Sequence, residues 1–171
     1  MTKNDLSKDE YHPYYQGYIE KSGDAKLNDG LRSNMKFIIN FLEAIPEEKQ
    51  EYRYEPRKWT IKEIVQHLID TERVFTYRAL CMARGDKTLL PGYDQDDYVS
   101  TSDANSRTMH DLIDEYRAVR LASSYLFHSL TTDMLAEKGI ANNSNLTARA
   151  VVFILIGHEN HHCQIIEERY L

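Results

Sequence analysis

The stretch TARAVVFILIGHENHHCQIIEERYL, residues 147–171, decides the fold. Val151, Ile154, Leu155, His158, His161, His162, Ile165, Ile166 and Arg169 recur at the i, i+3, i+4, i+7 spacing of one helix face. This predicts a long helix with three histidines in its buried stripe. His158 and His162 stand one turn apart, close enough to share a metal ion. A neutral imidazole tolerates burial only when its ring nitrogens have partners, and a metal is one such partner.

Three more amphipathic segments precede it. The first runs from about Ala25 to Ala44, with Leu27, Leu31, Met35, Ile38, Leu42 and Ile45 on one face, and Pro46 stops it. The second opens on a capping box, Thr60-Ile61-Lys62-Glu63. Its stripe is Ile61, Ile64, Val65, Leu68, Glu72, Phe75 and Ala79, with Gly85 as its stop. The third spans about Asn105 to Leu130, with Met109, Leu112, Ile113, Tyr116, Val119, Ser123, Leu126 and Leu130 as its seam. No segment alternates as a strand would. The expected fold is an all-α four-helix bundle without a sheet, one domain over residues 1–171, in which residues 1–20 form a Tyr-rich N-terminal extension with a short helix.

The connection from Asp86 to Tyr98 is long for a compact bundle. Its Leu, Pro and Tyr content predicts an ordered flap. Leu90–Tyr98 is expected to wall the metal pocket, with Tyr93 or Asp94 at the entrance. The N-terminal tyrosines Tyr11, Tyr14, Tyr15 and Tyr18 read as packing.

The composition, 42% hydrophobic and 28% charged, is that of a globular domain able to fold without staples. The net charge of −6, with no Lys/Arg run, argues against nucleic acid. No apolar run is long enough to span a bilayer, and residues 1–20 lack the apolar core of a secretory signal. Cys81 and Cys163 suggest no disulfide framework, which fits a cytoplasmic protein. The partner expected is a small-molecule substrate, and a homodimer is allowed.

Two ligands do not hold a metal well; a catalytic zinc takes three and keeps one position open. His12, His67, His110 and His128 are the candidates for the third. His67 flanks the Ile64/Leu68 stripe of the second helix and can turn inward. It can equally be a core histidine bonded to a carbonyl. In an up-down bundle the second and fourth helices run parallel, which sets His67 at a different height from the pair; a crossover makes them antiparallel. His158-Glu159-x-x-His162 also matches the zinc-protease motif. Its longer form requires Gly and His where Ile165 and Glu168 stand. A di-iron site needs a second Glu-x-x-His, and Glu63 is followed by Gln66. His161 reads as a ligand, a hydrogen-bonding neighbour of one, or a packed residue.

The segments Tyr54-Glu55-Pro56-Arg57-Lys58-Trp59-Thr60-Ile61-Lys62-Glu63, His67-Leu68-Ile69-Asp70-Thr71-Glu72-Arg73 and Tyr77-Arg78 resemble the DinB-like superfamily of metal-binding four-helix bundles. So do Leu90-Pro91-Gly92-Tyr93-Asp94-Gln95-Asp96 and Gly157-His158-Glu159-Asn160-His161-His162. The likeness, from about Leu27 onward, is to the branch of metal-dependent hydrolases and thiol S-transferases. It implies a crossover bundle whose ligands are His67, His158 and His162, with solvent completing the coordination of Zn, Ni, Fe or Mn. Such a metal activates a water or a low-molecular-weight thiol such as bacillithiol, for hydrolysis or S-transfer. Glu159 is then the expected catalytic base or a hydrogen-bond partner of a ligand, against the bland alternative of a solvent-facing residue. The competing reading is a non-catalytic metal-binding stress-response bundle. A closed four-ligand site would favour that one, and an open site in a pocket the enzyme.

Overall fold

In the computed structural model, which describes residues 1–171, the chain forms α1 (Gln16–Lys21), α2 (Gly30–Glu43), α3 (Ile61–Ala83), α4 (Gln95–Thr101), α5 (Met109–Ser129), α6 (Thr132–Ala136), β1 (Lys138–Ala141), β2 (Ser144–Thr147) and α7 (Ala148–Arg169). The helix starts follow from caps. Thr60 and Glu63 close a reciprocal capping box on α3. Thr108 and Thr147 accept the Asp111 and Ala150 amides at the starts of α5 and α7. Gly85, at φ +74°, supplies the left-handed turn that ends α3. Two ends differ from expectation. The first long helix starts at Gly30 rather than Ala25, and the third at Met109 rather than Asn105. The Asn105 side chain instead bonds Thr60 and Glu63, fixing the approach to α5 on the start of α3.

Helices α2, α3, α5 and α7 make the four-helix bundle. Asn105 beside Thr60, Thr76 beside Ser123 and Arg84 beside Met134 show that α3 and α5 run parallel. Helix α7 runs against α3: the Tyr170 hydroxyl donates to the Trp59 carbonyl at one end, and Gly139, just before α7, lies on Met82 at the other. Parallel α3 and α5 require a crossover, and residues 84–108 provide it. That segment descends along α3, bonding Arg78 through the Pro91 carbonyl, Thr71 through Tyr93, and Glu63 through Asn105. It includes α4, which Asp94 caps.

The expectation of no sheet is corrected by the β1–β2 hairpin, paired antiparallel from Lys138↔Thr147 to Ala141↔Ser144. Asn142 and Asn143 both take positive φ, 50° and 60°, the turn that suits a two-residue hairpin. The residues β1 turns inward are Gly139 and Ala141, while Ile140 faces out. A strand that buries its smallest side chains leaves no hydrophobic alternation to read.

Two apolar clusters form the core. One holds Phe75, Met82, Phe127 and Val151–Ile156; the other holds Ile38, Leu42, Ile64, Leu112, Tyr116, Cys163 and Ile166. Each fully buried side chain of this size contributes about 1.5–3 kcal/mol. Along α3, α5 and α7 the clusters are separated by buried polar residues: Thr71 and Glu72, Arg120, and His158 and Glu159. No helix is long and apolar enough to cross a membrane.

The N-terminal extension is fastened to this frame. Glu10 is 1% exposed and accepts two hydrogen bonds of 2.6 Å from Arg149, with further ones from Thr147 and the Ser7 amide. Burial pushes the Glu10 carboxyl up, but Arg149, Ser7 and Thr147 together pull it below its ordinary value. A carboxylate so depressed stabilises fully above its unfolded pKa near 4.5 and progressively less as pH falls through its lower folded value. Glu10→Ala is expected to cost about 2–3 kcal/mol in urea unfolding at pH 7, and to speed proteolytic cutting within residues 1–20. The stability difference from the parent should shrink below about pH 4.

Candidate metal centre

Antiparallel packing of α3 and α7 places the start of one beside the second half of the other. His67, on α3, and His158 and His162, on α7, therefore meet. The Nε2 atoms of His67 and His158 are 3.1 Å apart, as are those of His158 and His162, and the donor atoms of all three lie within 4.8 Å of one another. Nitrogens each about 2.1 Å from a common ion can stand at such separations.

Burial holds these imidazoles neutral. It pushes His67 down to about 4. Burial and then the facing imidazoles take His158 and His162 well below the ordinary histidine value. Nδ1 of His67 lies 3.4 Å from the Thr71 hydroxyl, which bonds the Tyr93 hydroxyl at 2.7 Å. With its proton on Nδ1, His67 turns a lone pair toward the other two rings. Lone pairs facing one another in a buried spot repel unless a cation lies among them. This donor set fits a divalent transition metal.

The surrounding rings fix the three imidazoles. Trp59 packs against His67 at 4.7 Å and His162 at 6.4 Å between centroids. Tyr18 meets His158 edge-on at 5.2 Å. Tyr18 comes this close because α1 lies directly on Gly157: a Cβ there would stand 1.6 Å from the Tyr18 carbonyl oxygen. Asn160 donates to the Lys21 carbonyl at the end of α1.

His67 and His158 form the floor of a cavity of about 410 Å³, within the range of small-molecule sites. Tyr93 and Gln95 of the crossover line it, as expected of that loop, whereas Asp94 is spent on capping α4. The opposite wall is the N-terminal extension: His12, Tyr14, Tyr15 and Tyr18. Phe75, Arg78, Asn142 and Ser144 complete much of the rest. Tyr15, Tyr18 and Arg78 were not assigned site roles from sequence. The tyrosine cluster was legible, but its position over the histidines depends on the contact at Gly157.

Glu159 is not brought to the cavity. It is 2% exposed and points the other way, accepting from Asn34 of α2 at 2.7 Å and from Arg120 of α5. Arg120, 0% exposed, also bonds both oxygens of Glu72 at 3.0 Å. Glu159, expected as a catalytic base, as a hydrogen-bond partner of a ligand or as a solvent-facing residue, is placed in none of these positions. One residue past His158 is about 100° around the helix, which turns its carboxylate into the bundle rather than toward substrate or solvent. Glu72, within the apolar stripe of its helix, was the sequence signal for a buried ion pair. His161 sits at the rim, its ring 5.4 Å from Tyr18 and 5.5 Å from His162, outside the three-histidine group. His110 and His128 are exposed, and His12 lies in the cavity wall.

The family model described as DinB superfamily matches residues 37–166. Among solved structures, the chain is similar to YfiT from Bacillus subtilis, at 15% identity and a TM-score of 0.68, over 95% of this chain and 90% of that one. That protein is described as "a probable metal-dependent hydrolase with an unusual four-helix bundle topology". No functionally curated protein matches the sequence.

Gly157→Ala is expected to force α1 away from α7, lowering stability by about 2–3 kcal/mol in urea denaturation. Arg120→Met leaves two buried carboxylates without their cation and should cost about 3–5 kcal/mol by the same measurement. A loss under about 1 kcal/mol in that variant would contradict the structural role given to Glu159.

Proposed function

Because the chain belongs to the DinB superfamily, we propose that it is a metal-dependent enzyme in which His67, His158 and His162 hold one divalent ion. The observation that carries this reading is the meeting of three neutral imidazoles beside a cavity of small-molecule size. The group contains three donors and no fourth carboxylate or thiol, which supports an open site over a closed structural one. The donors suit Zn, Ni, Fe or Mn. When bound, such an ion lowers the pKa of a water or low-molecular-weight thiol toward neutrality.

The chain's own residues do the rest. Thr71 is placed to accept a hydrogen bond from Nδ1–H of His67, and in that tautomer Nε2 is the nitrogen that faces the ion. Tyr15, Tyr18 and Tyr93 stay protonated, because burial pushes each hydroxyl up, and they offer hydrogen bonds to a substrate oxygen. Trp59 and Tyr18 shield the imidazoles from bulk water. Glu159 acts as a positioning residue: through Arg120 and Asn34 it sets the rotation of α7. Cys81 and Cys163 are buried in the two core clusters, so the nucleophile comes from water or a small thiol. The reaction is hydrolysis of a small molecule or transfer of a thiol to an electrophile. The description of YfiT supports the hydrolytic form by fold analogy.

Metal analysis by mass spectrometry tests the assignment. The parent is expected to carry one ion per chain, and His67→Ala and His162→Ala each to lose most of it while keeping helical circular dichroism. Full occupancy in either variant overturns the ligand set. Turnover of ester, amide and thiol–electrophile panels by loaded but not chelated protein would separate the two reactions.

A further inference from the structure

Arg78 has no assigned work in the centre just described, and its surroundings are unusual for a cation. It is 4% exposed and lines the cavity. One guanidinium nitrogen donates to the Pro91 carbonyl at 2.7 Å. The group lies over the rings of Phe75 and Tyr93, at 5.0 and 5.8 Å from their centroids. The other buried arginine in the bundle, Arg120, has two carboxylates, and the largely buried Arg149 has Glu10. Arg78 forms no ion pair, and burial draws its pKa down. Burying a charge without a counter-charge is costly. The chain has 27 acidic residues and a net charge of −6, yet none of the 16 residues lining this cavity is acidic. A cavity with a cation and no anion of its own offers a place to an anionic ligand.

We propose that Arg78 is the anion anchor of the substrate pocket. The cavity takes an elongated molecule whose oxyanion, a carboxylate or phosphate, pairs with the guanidinium fork. Its apolar or aromatic body lies among Tyr15, Phe75 and Tyr93, and its reactive end meets the three histidines. His67, Thr71, Phe75 and Arg78 share one face of α3, with the outer two Cα atoms about 16 Å apart at 1.5 Å per residue. The spacing suits a molecule carrying its charge at the end away from the reaction. The role of the reactive end rests on the metal-dependent reading above; the anion anchor stands without it.

The test uses the full chain, treated with chelator so that no metal can bind the probe, and isothermal titration with 4-phenylbutyrate, 3-phenylpropylphosphonate and the neutral 4-phenylbutyramide. At least one anion is expected to bind ten-fold or more tightly than the amide, and the better of the two identifies the oxyanion. Arg78→Met should reduce that advantage to less than three-fold with melting temperature and helical content preserved. Arg78→Lys, which keeps the charge but not the fork, should reduce it at least three-fold and decides the matter if the Met variant does not fold. Equal binding of anions and amide by the chelated parent overturns the proposal, as does an advantage unchanged in a folded Arg78 variant. His162→Ala separates the two readings: it should lose metal yet keep the anion advantage. Retained metal there counts against the ligand set alone, and a lost advantage in folded protein counts against the anchor.

Discussion

Arg120 reaches from α5 to a carboxylate on α3, a carboxylate on α7 and the Leu31 carbonyl of α2. All four bundle helices meet at this one guanidinium, which is wholly out of solvent. Such a cluster adds little net stability, because desolvation offsets the attraction. What it supplies is register. Turning α3 or α7 by one residue, about 100°, would leave a buried charge without its partner. Glu72 lies five residues beyond His67, and Glu159 lies next to His158. The constraint that fixes the core therefore also aims the imidazoles at one another.

The second determinant is direction. With α3 and α5 parallel, the chain must cross the length of the bundle between them. The entropic cost of a longer connection rises only slowly with its length. Here the crossover is put to use: its Tyr93 backs Thr71, which backs His67, and its Pro91 carbonyl holds Arg78. The N-terminal extension closes the opposite side. It is anchored by Glu10 at the start of α7 and seated on Gly157 one residue before His158. A glycine at that point lets two backbones touch, and an aromatic ring follows into the cavity.

These placements give the pocket a charge unlike that of the chain. The carboxylates nearest the histidines are bound up by Arg120 inside the bundle or lie outside the cavity wall. What lines the cavity is neutral imidazole, protonated tyrosine and one guanidinium that has no carboxylate partner. The architecture therefore separates a buried arginine–carboxylate layer from a cavity lined by neutral groups and one cation, although Glu159 and His158 are neighbours in sequence.

The sequence by itself determined the four long helices, the Thr60–Glu63 capping box and the pairing of His158 with His162, because these depend on contacts within a few residues along one helix. His67 was legible only as one candidate among four until the family resemblance singled it out. The tertiary structure decided the rest. Helical periodicity carries no information on whether α3 and α7 run parallel or antiparallel, and that choice alone brings His67 to the pair. Nor does periodicity say which buried polar group answers another, so Glu159 read as a base when Arg120, 39 residues earlier, was its partner. The β1–β2 hairpin escaped notice because it buries glycine and alanine. The N-terminal tyrosines read as packing, which holds for Tyr11 and Tyr15 against the core; that Tyr14, Tyr15 and Tyr18 also line the cavity depends on the docking of α1 on α7 at Gly157.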